Sequence, residues 1–243
     1  MPLITPDAVA LFSALLAAHM IGDFVLQTKA MVTHKRKPAV LLAHVLVHAV
    51  LTLALLGGGW QIAVAVALSH LVIDAVKTYA LPRHVSAGFT AFLGDQMAHI
   101  AALIAIAATA QTQLPQPLFP SIAPLPAIYL LAASAIAAVL AGGHAVGALT
   151  NRFAAHFPQT GLPEAGRLIG QLERALIFLL ILVGEPAAIG FLIAAKSILR
   201  FNDASEDQKT AEYVIVGTLA SFLWALLCAY ATLPLLEIVT NSP

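Results

Sequence analysis

The chain has 243 residues, of which 60% are hydrophobic and only 10% are charged. Soluble domains carry about 25% charged residues, so this composition excludes an ordinary soluble protein and predicts an all-α, polytopic transmembrane helical bundle in the lipid bilayer. Twelve Lys and Arg balance twelve Asp and Glu. Because there is no basic surplus, we expect no nucleic-acid partner.

The hydrophobic segments are long enough for about eight membrane-spanning helices, since one crossing needs about 20 mainly apolar residues. Gly57-Gly58-Gly59 predicts a tight turn between the second and third spans. The proline-rich segment 112–123 predicts a periplasmic connector between a first domain, 1–111, and a second transmembrane half, 124–243. The predicted spans are 8–27, 39–57, 60–81, 89–111, 124–149, 166–183, 187–201 and 211–236.

Each of the first four spans carries one pair of ionisable residues at the spacing i, i+4. Burying such a side chain in hydrocarbon costs roughly 2.5 to 3.5 kcal/mol even on lenient insertion scales, so eight of them predict a shared purpose. The second helical hairpin repeats the first at an offset of 51 residues, and at these positions the only change is His44 to Asp95. The pairs are His19/Asp23, His44/His48, His70/Asp74 and Asp95/His99.

The basic residues predict the orientation. With the amino terminus outside, all twelve Lys and Arg fall in or near cytoplasmic connections, as the positive-inside rule requires. This predicts a multi-pass protein of the bacterial inner membrane with both termini in the periplasm. At 1.5 Å per residue the ionisable pairs would lie roughly 6 to 16 Å below the cytoplasmic boundary. Four residues would lie nearer the cytosol, namely Asp23, His44, Asp74 and Asp95.

Histidine and aspartate in this pattern predict a metal centre. Residues four apart share a helix face, and four-helix bundles build metal sites from such facing side chains. Nitrogen and oxygen donors without a thiolate suit zinc, with manganese or iron as alternatives. Eight candidates exceed the four ligands of one tetrahedral zinc, so either two ions bind or some residues orient the ligands of one. The candidate ligands are His19, Asp23, His44, His48, His70, Asp74, Asp95 and His99.

Two other interpretations of the pairs stay open. Interhelical His–Asp hydrogen bonds could simply hold the bundle together, and buried ionisable residues also mark proton or ion pathways. Gly22 before Asp23 and Gly94 before Asp95 predict close approach of helices at these positions.

The second half holds a smaller charged group. Glu173 and Arg174 lie about eight residues into the sixth span, counted along a helix that rises 1.5 Å per residue. Lys196 and Arg200 lie at the end of the seventh span. They form either an ion pair or a substrate-binding set in which the cations neutralise a phosphate at the cytoplasmic mouth.

Several strings of the chain resemble an uncharacterised bacterial inner-membrane family, domain of unknown function 3307. They are AHMIGDFVLQ at 18–27, LLAHVLVHAVLT at 41–52, SHLVIDAVK at 69–77, DQMAH at 95–99, GRLIGQLERALIF at 166–178 and AAKSILRF at 194–201. The resemblance covers most of the chain and implies a fold without an assigned activity. The helices are also distantly similar to membrane-bound metal-dependent hydrolases, whose HxxxD motif implies a metal centre for His70 and Asp74.

The leading hypothesis is an integral-membrane, metal-dependent hydrolase that acts on a phosphorylated lipid or amphiphile at the cytoplasmic leaflet. In it, Asp95 or Asp23 takes the proton from the attacking water. The alternatives are a divalent-metal or proton-coupled transporter or channel, and a non-catalytic scaffold stabilised by metal. The outer halves of spans one to four carry no ionisable residue, which argues against transport.

Overall fold

The computed structural model describes residues 5–111, 125–154, 164–204 and 208–241. Throughout these ranges the regular structure is helical, which confirms the predicted all-α bundle. The predicted connector 112–123 lies outside the described residues.

The chain divides into two compact units. Unit 1 consists of residues 1–136 and 234–243, and unit 2 of residues 137–233. The helices up to residue 136 are α1 Pro6–Ile21, α2 Lys29–His34, α3 Pro38–Leu56, α4 Trp60–Ala75, α5 Arg83–Ser86, α6 Phe89–Ala110 and α7 Leu125–Ile136. Those after it are α8 Gly142–Ala154, α9 Ala165–Leu182, α10 Ala188–Ala204 and α11 Gln208–Thr240. Single π turns continue α1, α4 and α7, over Gly22–Leu26, Val76–Ala80 and Ala137–Ala141.

Local sequence signals set the ends of the first helices. The Thr5 hydroxyl accepts a hydrogen bond from the Ala8 N–H at 3.1 Å, and this cap precedes a proline at the start of α1. Helix α3 ends at Gly57 with φ of 64°, and α4 begins after Gly59 with φ of 75°. Such positive φ values strain other residues, so the glycine run confirms the predicted tight turn.

Six helices of the described chain, and not eight, are long and apolar enough to cross a membrane, so this is a multi-pass membrane protein. The α9 segment carries Arg167, Glu173 and Arg174 within its 18 residues. The apolar part of α10, Ala188–Ile198, is shorter than a crossing requires. The six candidate spans are Pro6–Leu26, Pro38–Leu56, Trp60–Ala80, Phe89–Ala110, Leu125–Asn151 and Glu212–Thr240.

Unit 1 is a bundle in which α3 packs on α4, α4 on α6, α1 on both α3 and α6, and α7 on α1. Its apolar core fills the half of the bundle formed by the start of α1 and α4 and the end of α3 and α6. On the outer face of α3, Leu42, Leu46 and Val50 are more than half exposed, as expected for side chains in contact with lipid. The core residues are Leu11, Ala14, Leu15, Leu56, Ile62, Val66, Leu103, Ala107 and Ala110.

Unit 2 contains α8, α9 and α10, with the π turn 137–141 packed on both α8 and α9. Its interior includes Ile177 and Phe178 of α9 and Phe222 and Ala225 of α11. The charged group of the second half lies in this unit.

Candidate metal centre

The four predicted pairs meet in one place within unit 1, which we call the His/Asp cluster. One pair comes from α1 with its π turn, and the pairs of α3, α4 and α6 face inward while Leu46, Val72 and Met97 of these helices are exposed. The Asp23 side chain is 10% exposed, and the other seven members are at most 8% exposed. The cluster consists of His19, Asp23, His44, His48, His70, Asp74, Asp95 and His99.

Asp23 lies at the centre of the His/Asp cluster. Its Oδ1 is 3.1 Å from Nε2 of His44, 3.1 Å from Nε2 of His48 and 3.7 Å from Nε2 of His70. Its Oδ2 is 3.9 Å from Nδ1 of His19. Histidines from three helices therefore converge on one carboxylate, each through a ring nitrogen that can bind a metal.

The same ring nitrogens also face one another. His70 Nε2 lies 3.2 Å from His44 Nε2 and 3.3 Å from Asp74 Oδ2, and His44 Nε2 lies 3.6 Å from that oxygen. Each Nε2 carries at most one hydrogen, so protons cannot satisfy all of these contacts between electron-rich atoms. A cation bound among these atoms would satisfy the contacts.

The imidazole rings pack directly on one another. The rings of His48 and His70 stack with centroids 3.7 Å apart, those of His70 and His99 are 4.3 Å apart, and those of His19 and His99 are 4.8 Å apart. The four histidines predicted to lie farther from the cytosol, His19, His48, His70 and His99, thus form a continuous group.

Gly22 allows α1 to approach α3 at this point, as predicted. A Cβ atom on Gly22 would lie 2.4 Å from Cε1 of the His48 ring, closer than atoms pack without displacement. Gly22 also begins the π turn that contains Asp23, and such turns are frequent at functional sites. The prediction for Gly94 is wrong, because a Cβ there would meet nothing within 4 Å among the described residues.

Two lysines hold carboxylates of the His/Asp cluster. Lys35 Nζ is 2.7 Å from Oδ2 and 2.8 Å from Oδ1 of Asp74, and Lys77 Nζ is 2.8 Å from Oδ2 of Asp95. The sequence did not indicate these partners, because Lys35 lies in the connection after α2, Lys77 lies in the π turn that continues α4, and nothing in their spacing relates them to the pairs.

Two glutamines complete the polar surroundings. Gln27 Nε2 lies 3.0 Å from His44 Nε2. The buried Gln96 amide donates to Asp23 Oδ2 at 3.4 Å and to Asp95 Oδ2 at 3.3 Å, and its Oε1 lies 3.3 Å from His19 Nε2. Gln96 therefore fixes two carboxylates of the cluster. It directly follows Asp95 in the sequence, but no repeated counterpart pointed to it.

The donor set fits a metal ion. Within each of three groups the potential ligand atoms lie within 4.8 Å of one another. The first and third groups share no member, so they offer four and three donors to two separate ions. Buried atoms without a hydrogen-bond partner among the described residues include Asp95 Oδ1 and His99 Nε2. The groups are His19, Asp23, His48 and His70; His44, His70 and Asp74; and Asp74, Asp95 and His99.

The charged residues of the second half lie in unit 2 and contact protein atoms there. Lys196 Nζ is 2.7 Å from Glu173 Oε2, an ion pair between α9 and α10. The buried Arg174 guanidinium donates to the Val139 carbonyl from Nη2 at 2.9 Å and to the Ser221 hydroxyl from Nη1 at 3.0 Å. The side chain of Arg200 lies outside the described part of the structure. These contacts favour a structural role for Arg174.

We expect Arg174→Leu to lower the free energy of unfolding by about 3 kcal/mol, because it removes charged hydrogen bonds and leaves their buried partners unpaired. Arg167→Leu on the same helix is the control, since Arg167 is 60% exposed and, among the described residues, pairs only with the exposed Glu164. A change within about 0.5 kcal/mol is expected there. Denaturant unfolding in detergent measures both. Equal effects would show that Arg174 does not hold unit 2 together.

Comparison with known proteins agrees with the resemblance seen in the sequence. Residues 11–121 match the family model described as a protein of unknown function (DUF3307). No curated protein and no solved structure matches the chain significantly, and none of these comparisons supports the more distant similarity to membrane-bound hydrolases. The matched segment includes α3, α4 and α6 and every member of the His/Asp cluster. Residues 11–121 are therefore similar to the uncharacterised DUF3307 family.

Proposed function

We propose that this chain is an integral-membrane, metal-dependent hydrolase of phosphorylated lipids or related amphiphiles. The main support for this proposal is that three histidine Nε2 atoms converge on Asp23 Oδ1, at distances of 3.1 to 3.7 Å. Zinc is the metal best suited to this set of nitrogen and oxygen donors, and manganese or iron are alternatives.

The two separate donor groups have different roles in this proposal. His19, Asp23, His48 and His70 offer four donors, which is the number that closes a tetrahedral site. In the other group, Asp74 and His99 would hold the second ion and Asp95 would lie beside it without binding it, which leaves positions for water. A divalent ion there would make a bound water acidic enough to act as a nucleophile near neutral pH and would polarise the phosphate.

Asp95 is the better of the two predicted general bases. Its Oδ2 is held by Lys77 and Gln96, whereas its Oδ1 has no hydrogen-bond partner among the described residues. Asp23 instead faces three imidazoles and acts as a ligand. Asp95 Oδ1 takes one proton from water while the water oxygen forms a bond to phosphorus. The bond from phosphorus to the alcohol oxygen breaks, the alcohol oxygen takes up a proton from solvent water, Asp95 returns its proton to solvent, and the products are the alcohol and inorganic phosphate.

The apolar core of unit 1 supports hydrolysis over transport. The half of the bundle beyond the His/Asp cluster is filled by buried aliphatic side chains, including Leu11, Leu15 and Leu103. Ions do not cross such a region without a polar path.

We also propose that the protein lies in the bacterial inner membrane with both termini in the periplasm. An even number of crossings, six or eight, leaves both termini on one side. The distribution of Lys and Arg supports the periplasmic side, and reporter fusions at the two termini test it.

The hydrolase proposal is tested with purified, zinc-loaded protein in nanodiscs that contain phosphatidic acid, by measuring released inorganic phosphate. We expect Asp95→Asn to lower kcat by roughly 10² to 10⁴ while zinc content is kept, since this is the usual contribution of a general base. Asp7→Asn is the control, because Asp7 is exposed in the first turn of α1.

Two results would contradict hydrolysis. One is that zinc-loaded wild type releases no phosphate. The other is zinc uptake into proteoliposomes that depends on His19 and His70, which would favour a transporter.

A further inference from the structure

A cavity of about 450 Å³ adjoins the His/Asp cluster in unit 1. Three of its lining side chains are cationic, and no carboxylate lines it among the described residues. We call it the basic cavity. It is lined by Gln27, Val32, Thr33, Lys35, Arg36, Lys77, Thr78, Ser86 and Ala87.

The basic cavity reaches the cluster directly. Lys35 and Lys77 line the cavity, and their ammonium groups lie 2.7 to 2.8 Å from Asp74 and Asp95. Gln27 also lines the cavity, and its amide nitrogen lies 3.0 Å from His44 Nε2. These two carboxylates belong to the group formed by Asp74, Asp95 and His99.

The charges of this region favour an anion once a metal ion is bound. The three cations of the cavity are balanced by the three carboxylates of the His/Asp cluster, when the imidazoles are neutral. Each divalent ion would therefore add two positive charges to the region, and a single ion already supplies the charge that matches a phosphate monoester dianion.

Arg36 is the residue placed to bind such an anion. Lys35 and Lys77 already pair with carboxylates, whereas the exposed Arg36 makes only one weak side-chain hydrogen bond in the described part of the structure, to the Leu81 carbonyl at 3.4 Å. A guanidinium binds phosphate through paired N–H groups. Next to it, Val32 is 57% exposed and lines the same cavity, which suits the apolar part of an amphiphile.

We propose that the basic cavity binds the phosphate monoester group of the substrate, with Arg36 as its main direct contact and Lys35 and Lys77 beside it. This inference rests on the proposed function, because it places the substrate of that hydrolase. It also assigns the anion site to unit 1 and not to Arg174 and Lys196 of unit 2.

The test measures binding of inorganic phosphate to the zinc-loaded protein by calorimetry. We expect Arg36→Gln to weaken phosphate binding by about tenfold or more, since it removes charge-assisted hydrogen bonds. Arg36→Lys should retain part of the affinity, because the charge stays. Zinc content should be the same in all of these proteins, since Arg36 contacts no member of the His/Asp cluster among the described residues.

Lys37→Gln is the matched control, because Lys37 is exposed in the same connection and does not line the cavity. It changes the net charge equally, and we expect a change within about twofold, the size of a surface charge effect. If Lys37→Gln weakens binding as much as Arg36→Gln, the attraction is unspecific and the inference is wrong.

The remaining outcomes separate this inference from the metal proposal. Zinc-loaded protein that binds no phosphate overturns the basic-cavity assignment and leaves the metal centre standing. If no zinc binds, the hydrolase proposal fails. The basic-cavity assignment is then tested with the metal-free protein, whose phosphate binding should be weaker but measurable and should depend on Arg36.

Nanodisc composition identifies the source of the phosphate group. Competition by phosphatidic acid, but not by phosphatidylcholine, shows that the ligand is a lipid headgroup. Phosphate binding unaffected by phosphatidic acid shows that the ligand is a soluble phosphate.

Discussion

Replacement of His70 by alanine is expected to lower zinc affinity by more than the roughly 10- to 100-fold that follows loss of a group that only orients a ligand. His70 belongs to two of the three donor groups, and its Nε2 lies within 3.2 to 3.7 Å of His44, Asp74 and Asp23. Elemental analysis of purified wild type should give about one or two ions per chain, as the donor count allows. The variant should lose the ion of the group that contains His19, Asp23, His48 and His70, so that at most one ion per chain remains.

His34→Ala is the matched control for this experiment. His34 is exposed on α2, and its Nδ1 lies 3.0 Å from the Ala30 carbonyl within the same helix. Its replacement should leave zinc content unchanged. If wild type carries no metal and His70→Ala unfolds it, the cluster is a structural hydrogen-bond network.

Gly22→Ala is expected to disturb the proposed metal centre without removing any of its candidate ligands. The added Cβ would lie 2.4 Å from Cε1 and 2.7 Å from Nε2 of His48, so the imidazole must shift away from Asp23 or α1 must move. Overpacking of this kind costs about 1 to 3 kcal/mol. Zinc titration and denaturant unfolding should show a weaker metal site and a less stable protein.

Gly94→Ala provides the control, because Gly94 precedes Asp95 as Gly22 precedes Asp23. A Cβ there meets nothing within 4 Å of the described chain, and in the helix α6 alanine should gain about 0.5 to 1 kcal/mol over glycine. Zinc affinity should not change. If both alanine variants behave alike, close packing at Gly22 does not shape the cluster.

The positions of the His/Asp pairs were predictable because helix geometry is local. The i, i+4 spacing places both members of a pair on one face whatever surrounds the helix, and the repeat of 51 residues aligned the two hairpins. The Gly57–Gly59 turn followed from backbone sterics alone. The span count was harder, since the charges of α9 and the short apolar part of α10 leave two predicted spans below the length and composition of a crossing.

The contacts of the cluster were not predictable in the same way. Lys35 lies 39 residues from Asp74 in the chain, and Gln96 lies 73 residues from Asp23. No periodic pattern connects residues at such separations, because their meeting depends on how the helices pack together and on how the connection that holds Lys35 folds back over their ends. The proposal of Asp95 over Asp23 as the general base rests on these contacts.

Composition and helical periodicity by themselves determined that this chain is a membrane bundle with eight ionisable side chains on inward faces. Only the tertiary structure decided that Asp23 is the centre of these groups and that the absence of a side chain at Gly22 leaves room for the His48 ring. It also decided that Lys35, Arg36 and Lys77 line a cavity beside them. The physical reason is the distance along the chain over which each interaction acts. Hydrophobic burial and helix spacing act within one segment, whereas metal-ligand geometry and counter-ions depend on the packing between segments.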